Sequence, residues 1–557
     1  MQRPSSASQT LTQADVQELE QRTSSDEKNI PPRQRSKLQS VCLVATCSTA
    51  MLINFANSTA ISIALPTIGR DLNIPQYRLQ WIISAYSLSS GCLLLFFGRL
   101  ADLYGRKKAF LLGIGCMGIF GLGCGFAQDE ITIDILRGFQ GLGSAACIPA
   151  ALGILAHAFP PSRARSIAFA TFAAGAPVGA ALGVTVGGAL TQLTARTWRS
   201  AFYFLTGFAA LTFTGGMLSF DKDLPSEEKD KRVDWFGAFL VTAGLVMIVF
   251  VLSDGSMAPN GWKTGYIIAL LIVGVLLVVA YVAWEHFLER AHNAHNPAWW
   301  APPPVMRVSL WRRARGKLAV TFLLAFLAYG SFMSFAYWIQ LYYQYYVGYS
   351  PVRTMVRLLP LFVTGFIANV IIGLFVGHVP FVLIIASGAA MTAIGNLLFA
   401  VINPKAIYWA FGFPATIVSV FGADFTFASG TLFVAKVCLP HEQSVGGALF
   451  QTMTQIGSSF GLAISTIVYN SELQKASLNY GVVVNHDGTN APLEAQLTGY
   501  RGAFWTAFAM SILGSILAAF FLRGVGVVGD KKSKDGAVTA DEETGVRDKK
   551  AQHATTS

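Results

Sequence analysis

A few polar residues stand inside long apolar stretches of this 557-residue chain, and their types limit the chemistry open to it. Asp424 lies within Phe421-Gly422-Ala423-Asp424-Phe425-Thr426-Phe427. An acid in apolar surroundings can exchange a proton with a cavity, which makes Asp424 the candidate proton carrier; the rival reading is a static ion pair with Lys436 or an arginine elsewhere. Arg137 opens Arg137-Gly138-Phe139-Gln140-Gly141-Leu142-Gly143. A guanidinium at membrane depth must face a wet cavity or an acidic partner, or else snorkel to headgroups. A third group is the segment Gly98-Arg99-Leu100-Ala101-Asp102-Leu103-Tyr104-Gly105-Arg106-Lys107-Lys108. Its glycines allow a tight turn, and Asp102 can accept hydrogen bonds from the positive N-terminal end of a neighbouring helix, a contact that can break and reform. Proton and ion–dipole chemistry is therefore within reach. Covalent chemistry is not expected: no phosphate loop, nucleophile elbow or paired metal ligands occur, so neither enzyme activity nor a metal or cofactor is predicted. The scattered histidines (His157, His286, His378, His441) read as interfacial.

Such groups need elements that hold them in a bilayer. Hydrophobic residues make up 53% of the chain and charged residues 13%, about half the share usual in soluble domains, which indicates a polytopic membrane protein. The formal net charge of +11 sits mainly in loops and tails, where it orients membrane segments and favours anionic headgroups; no nucleic-acid partner is implied. The seven cysteines fall almost wholly inside apolar runs at irregular spacing and read as packing residues. Residues 1–38 and 526–557 are expected to be disordered tails, and the first carries no signal peptide. Between them apolar runs recur at about 41–68, 81–97, 109–127, 134–157, 166–190, 200–220, 235–253, 265–288, 317–343, 355–377, 380–401, 406–434, 445–469 and 501–523, about fourteen spans. An even number puts both termini on one side. Lysine and arginine cluster before the first run, after the second, fourth and sixth, before the ninth and in the C-terminal tail, so that side is expected to be the cytoplasm. Residues 289–316 read as a basic linker on that side and 470–500 as the longest external loop. The sequon Asn57-Ser58-Thr59 lies at membrane depth, where it should not be glycosylated.

Several of these motifs resemble the major facilitator superfamily. The segment Gly98–Lys108 is similar to its signature G-x-L-x-D-x-x-G-R-K/R-x between helices 2 and 3, and Arg137–Gly143 to its R-x-x-Q-G-x-G motif. Asn57-Ser58-Thr59-Ala60-Ile61-Ser62-Ile63-Ala64-Leu65-Pro66, with Gln80-Trp81 and Tyr86, resembles the fourteen-helix drug:proton antiporter branch, fungal type. That branch usually has Asp where Asn57 stands; Asn cannot titrate, but it can hydrogen-bond cargo or a neighbouring helix. Gly179-Ala180-Ala181-Leu182-Gly183-Val184-Thr185-Val186-Gly187-Gly188 is similar to the exporter motif G-x-x-x-G-P-x-x-G-G, with Val184 in place of the proline and Pro177 earlier. Gly179, Gly183, Gly187 and Gly188 allow close helix crossing. Trp198-Arg199-Ser200-Ala201-Phe202 resembles the lead-in W-R-x-x-F to helix 6, or serves as an interfacial anchor. In the ninth run Gln340, Tyr343 and Gln344 share a helical face, which can line a cavity, while the last tyrosines equally suit an interfacial belt. Ser444 reads as the start of the thirteenth run. Its N-terminus is the predicted contact of Asp102, with Gly446 and Gly447 letting the chains meet. Gln451 and Gln455, one turn apart, face the cavity or hydrogen-bond another helix.

The resemblance implies an all-α membrane protein of major facilitator fold, with two six-helix bundles plus two inserted helices. Its expected divisions are 39–220, 221–288, a linker at 289–316, and 317–525. The halves should be pseudo-repeats, although the counterpart of the signature loop near Gly373–Pro380 has no acid or basic triplet. The implied function is proton-coupled export of small organic molecules: drugs, toxins or secondary metabolites. Asp424 and Arg137 would couple protons. Gly98, Asp102, Gly105, Arg106, Lys107, Gly446 and Gly447 would form a cytoplasmic latch. Asn57, Tyr86, Gln140, Gln340, Tyr343, Gln344, Gln451 and Gln455 would line the cargo cavity. Cargo, protons and membrane lipid are the expected partners of a monomer in the plasma membrane, with the vacuolar membrane as the alternative. An importer or uniporter of an organic acid or other metabolite is the second reading. A non-transporting sensor is the third, disfavoured by the short tails.

Overall fold

The computed structural model describes residues 36–74, 79–159, 163–223, 232–255, 258, 260–293, 302–439, 442–484 and 490–528. Most of the two expected tails and the centre of the linker lie outside them, as do Pro440 and His441. The described residues form sixteen α-helices: α1 (Lys37–Asp71), α2 (Gln80–Cys92), α3 (Leu94–Tyr104), α4 (Arg106–Cys124), α5 (Glu130–Ala158), α6 (Arg163–Leu193), α7 (Arg199–Ser219), α8 (Trp235–Asp254), α9 (Gly265–Asn293), α10 (Lys317–Leu341), α11 (Pro351–Phe375), α12 (Phe381–Ala400), α13 (Gly412–Val418), α14 (Phe421–Val437), α15 (Gln443–Asn479) and α16 (Leu493–Phe521).

Among the described residues, twelve spans are long and apolar enough to cross a bilayer by themselves, and α2 with α3 makes a thirteenth, bent by 46° at Leu93. The bend follows Ser89-Ser90-Gly91, the kind of small-residue cluster at which helices kink. Helices α13 and α14 together form one of the twelve. The fourteenth rod is α15, which is too rich in Gln, Ser and Thr to pass on hydropathy alone. Its 37 residues reach about 55 Å, and it packs against α10, α14 and α16 on one side and α2, α3, α5 and α8 on the other. A helix surrounded by protein need not be apolar all round, which explains its weak hydropathy. Helices α15 and α16 also extend into the stretch expected as a long loop at 470–500, leaving only 480–492 between them.

The two six-span bundles repeat one packing plan. In the first, α1 lies on α6 and α7, α4 on α5 and α7, and α2 on α5. In the second, α10 lies on α15 and α16, α12 on α14 and α16, and α11 on α14. In each bundle one extensively packed helix pair meets through glycines. A Cβ at Gly175 would stand 2.5 Å from Ser48 O, one at Gly187 2.7 Å from Ala60 Cα, and those at Gly179 and Gly183 would strike the backbone of Leu52 and Ala56. In the second bundle Gly457 meets Phe326 and Gly461 meets Gly330 in the same way. Gly188 stands off this seam: a Cβ there would meet Ile63 Cγ1 at 3.9 Å, an ordinary contact.

The bundles touch along two lines, α6 with α11 and α14, and α15 with α2, α3 and α5. Helices α8 and α9 pair as a hairpin whose α8 lies beside α2, α3 and α15, with Trp81 on Phe250 (5.3 Å between ring centroids) and Phe96 on Trp235 (5.6 Å). The linker after α9 is tied at both ends. Glu285 accepts hydrogen bonds from the backbone of Val305 (3.2 Å) and Met306 (3.4 Å), and Glu289 from Ser309 (3.1 Å). Arg313 then pairs with Glu442 at the head of α15 (2.5 Å). Ala314 and Arg315 both hold left-handed φ values, +50° and +57°, just before α10 begins.

Candidate functional site

Four of the residues expected to line a cavity or couple protons meet in one buried network inside the first bundle. Arg137 of α5, wholly buried, donates through Nε to Ile82 O (2.9 Å) and through Nη1 to Gln140 Oε1 (2.8 Å). Gln140 Nε2 donates to Asn57 Oδ1 on α1 (3.0 Å), and Asn57 Nδ2 donates to Ile53 O (3.0 Å). The guanidinium carbon lies 4.5 Å from the centroid of Tyr86, whose hydroxyl donates to Asn54 Oδ1 (2.5 Å); Ser144 donates to the same oxygen (2.6 Å). A backbone carbonyl, a side-chain amide and a π face thus partly compensate a cation that water cannot reach. Its Nη2 has no hydrogen-bond partner among the described residues. The motif's glycines make this arrangement possible. A Cβ at Gly141 would strike Tyr86 O, and one at Gly143 would lie 2.6 Å from Gly113 O. Asn54 and Ser144 were not among the expected site residues. Asn54 stands three residues before Asn57 in an apolar helix, a spacing that puts both on one face.

Asp424 lies elsewhere, where α14 meets α11 and α6. It is 8% exposed. A Cβ placed on Gly365 would stand 2.9 Å from its Oδ2 and 2.8 Å from Cβ of Pro177, the proline inside α6. The amide of Asn369 lies alongside it and donates through Nδ2 to Gly365 O (2.9 Å). Asp424 Oδ2 and Asn369 Oδ1 are both buried acceptors with no hydrogen-bond partner among the described residues. Lys436, the ion-pair alternative, stands twelve residues further along α14, about 18 Å by helix rise, and donates to Val527 O (3.2 Å). Asn369 was missed by sequence reading, although it carries the same signal as Asp424, a lone polar side chain in an apolar run.

The signature segment forms the turn between α3 and α4. Gly105 has φ +118°, a conformation open mainly to glycine, and Gly98 is buried within α3. Asp102 Oδ1 accepts from Arg106 Nε (3.0 Å) and Nη2 (2.8 Å), and Arg106 Nη1 reaches Gly153 O on α5 (3.2 Å). Asp223, not foreseen, receives the backbone N–H of Lys107 (2.8 Å) and Lys108 (3.1 Å) and so caps the head of α4. Lys107 Nζ returns to Phe220 O (2.7 Å) and Met217 O (3.1 Å) at the tail of α7. The loop is thus stapled to its own bundle as well as lying against α15. On α15, Gly447 faces Leu152 of α5, with a Cβ at 3.1 Å, whereas Gly446 faces Cys438 and Val434 of its own bundle. The side chain of Ser444 lies outside the described residues.

The remaining candidates are spread along the molecule. Gln340 bridges the bundles at the end opposite this loop, exchanging contacts with Ser62 Oγ (3.3 Å) and Ser62 O (3.4 Å). After it α10 stops at Leu341, and a wider π turn carries Tyr342–Tyr346. Tyr343 packs on Tyr349 and Phe399, and Gln344 Nε2 is buried without a partner among the described residues. Gln455 presses on Gly91 of α2, and Gln451 is buried with its Oε1 unpartnered among the described residues.

A polar network inside one bundle, an acid on the seam between bundles and a stapled loop at one end describe a membrane carrier built from two similar halves. Comparison with known proteins agrees. The family model described as Major Facilitator Superfamily matches residues 47–234 and 226–462. MFS-type transporter 1 of Pyricularia oryzae is 26% identical over 549 residues, spanning 90% of this chain and 87% of that protein. Puromycin resistance protein pur8 of Streptomyces alboniger is 30% identical over 477 residues, spanning 84% and 88%. Among solved structures, the human organic anion transporter MFSD10 shares the fold, with a TM-score of 0.59 at 14% identity over 86% of this chain and 99% of that one. The chain belongs to the Major Facilitator Superfamily and is a secondary transporter related to its drug-efflux members.

Proposed function

We propose that the protein exports small organic molecules in exchange for protons, and that Asp424 carries the proton. The observation that supports this is the pair of buried acceptors at the seam, Asp424 Oδ2 and Asn369 Oδ1. Buried acceptors left unmet cost about 1–3 kcal/mol for each group. A proton on Asp424 removes the charge that this dry site would otherwise have to hold. Losing that proton leaves an unpaired charge against Gly365 and Pro177, and the two bundles then favour a geometry that opens the seam to water. A site whose proton affinity differs between two orientations lets a gradient bias them. Arg137 and its partners Gln140, Asn57 and Tyr86 would serve as the polar wall of the first bundle.

The orientation follows from the basic residues. At the end that holds Gly105, lysines and arginines occupy backbone carbonyls at or just past helix C-termini: Lys107 on Phe220, Lys317 on Arg523 (2.6 Å), Lys436 on Val527 in the segment after α16, and Arg165 on Ala435 (3.4 Å). This is the end we assign to the cytoplasm. Export is favoured over import by the resistance protein among the relatives, and the plasma membrane is the setting in which such export clears a cell. The test is flux of a transported dye in proteoliposomes with and without an imposed pH gradient. Flux in the Asp424→Asn chain should persist in exchange but lose its response to the gradient. Gradient-driven accumulation equal to that of the parent removes Asp424 from the scheme.

A further inference from the structure

The end of the molecule opposite Gly105 carries a cluster that the proton reading does not use. The π turn at Tyr342–Tyr346 brings Tyr343 into a stack with Tyr349, 5.8 Å between centroids. Two arginines of the first turns of α11 lie on these rings. Arg353 stands 4.2 Å over Tyr349, and Arg357 stands 4.1 Å over Tyr408 and 5.9 Å over Tyr349. The Tyr408 hydroxyl donates to Arg357 O (2.7 Å), which fixes that ring against the helix.

Among the described residues no carboxylate comes within 4 Å of either guanidinium. Acids at this end are engaged elsewhere: Asp71 with Arg199, Glu472 with Lys475 and Glu494 with Tyr480. The neighbouring unmet polar atoms can all donate: Gln344 Nε2, Thr354 Oγ1 and Arg501 Nε are buried without partners among the described residues. Beside the stack, Gly348 (φ +77°) borders open space, since a Cβ there would meet nothing within 4 Å. The cluster therefore offers cations, donors and ring faces but, among the described residues, no carboxylate to pair with the arginines. Arginines on the side away from the cytoplasm also run against the usual charge bias of membrane proteins, so their presence asks for a ligand.

We propose that Arg353 and Arg357, held flat by Tyr349 and Tyr408, bind a small aromatic carboxylate at this mouth of the transporter. A guanidinium fork matches a carboxylate through two parallel hydrogen bonds, and a planar ring can lie along the tyrosine faces. The inference rests on the transporter reading for its purpose only. Binding to purified protein is measured without transport, so a failure of proton coupling at Asp424 leaves this test intact, and the reverse holds too.

The experiment is calorimetric titration of the full chain in neutral detergent with salicylate, and with its uncharged counterpart salicylamide. Salicylate should bind saturably, and salicylamide should bind at least about tenfold more weakly, the effect of one charge-assisted pair. Arg353→Gln with Arg357→Gln should weaken salicylate at least about tenfold as well. Arg353 is exposed, so the single Arg353→Gln variant keeps the fold even if the double variant does not, and should show a smaller loss in the same direction. Equal binding of salicylate and salicylamide, or unchanged salicylate binding in the Arg353 variant, overturns the proposal. So does an absence of salicylate binding while phosphatidylglycerol binds through the same arginines, which would assign the pair to lipid headgroups.

Discussion

Gly187 and Gly188 are neighbours on α6, yet the structure gives them opposite tolerance for a methyl group. An alanine at 187 would place its Cβ 2.7 Å from Ala60 Cα, 2.8 Å from Ala60 O and 3.0 Å from Ala60 Cβ. Carbon atoms rest at about 3.5–4.0 Å, so α1 and α6 would have to part by roughly 1 Å along their closest line. Overpacking of this kind costs about 1–3 kcal/mol. The stripe at Gly175, Gly179 and Gly183 would lose contact with it, which pushes the figure towards the upper end. At 188 the added Cβ would meet only Ile63 Cγ1 at 3.9 Å, a favourable contact worth about 0.1–0.2 kcal/mol. Both changes gain similar helix propensity, so that effect cancels in the comparison. SDS-titrated unfolding of the two purified variants should therefore differ by about 2 kcal/mol, with Gly188→Ala close to the parent. Equal stabilities, or the reverse order, would mean that α1 and α6 do not pack backbone to backbone here. Gly461→Ala should behave like Gly187→Ala, because Gly461 meets Gly330 in the second bundle as Gly187 meets Ala60 in the first.

Two other expectations concern local backbone. Asp223→Ala removes the acceptor for two N–H groups at the head of α4 and should cost about 1 kcal/mol, the usual effect of losing an N-terminal cap. It is read as faster labelling of a cysteine placed at Tyr104, and labelling at the parent rate would show that Asp223 does not hold the turn. Ala314→Gly should stabilise the linker by roughly 1 kcal/mol, because a left-handed φ of +50° strains alanine and not glycine. Slower proteolysis of the linker near Arg315 would register this gain, and faster proteolysis would contradict it.

The sequence made the rods, their number and the motif residues legible because hydropathy and short-range spacing report local structure. It also singled out Arg137, Gln140, Asn57 and Tyr86, which the fold draws from three helices into one network. It could not say that Asn57 and Tyr86 would join Arg137 and Gln140, since those pairings link positions dozens of residues apart. Asp102 shows the same limit. A carboxylate beside a basic triplet reads as reaching for another helix, and the spacing does not reveal that it also pairs with Arg106, four residues on. Two oppositely charged groups at that spacing on a helical stretch meet with little loss of freedom, so the local pair forms first. A partner of this loop that comes from far along the chain is Asp223, hidden in a short polar segment with no motif to mark it. Asn369 was passed over because an amide in an apolar run attracts less notice than an acid. Its amide is the polar group that lies against Asp424. The functional seam is thus a property of pairs, one member visible in the sequence and the other only in the fold.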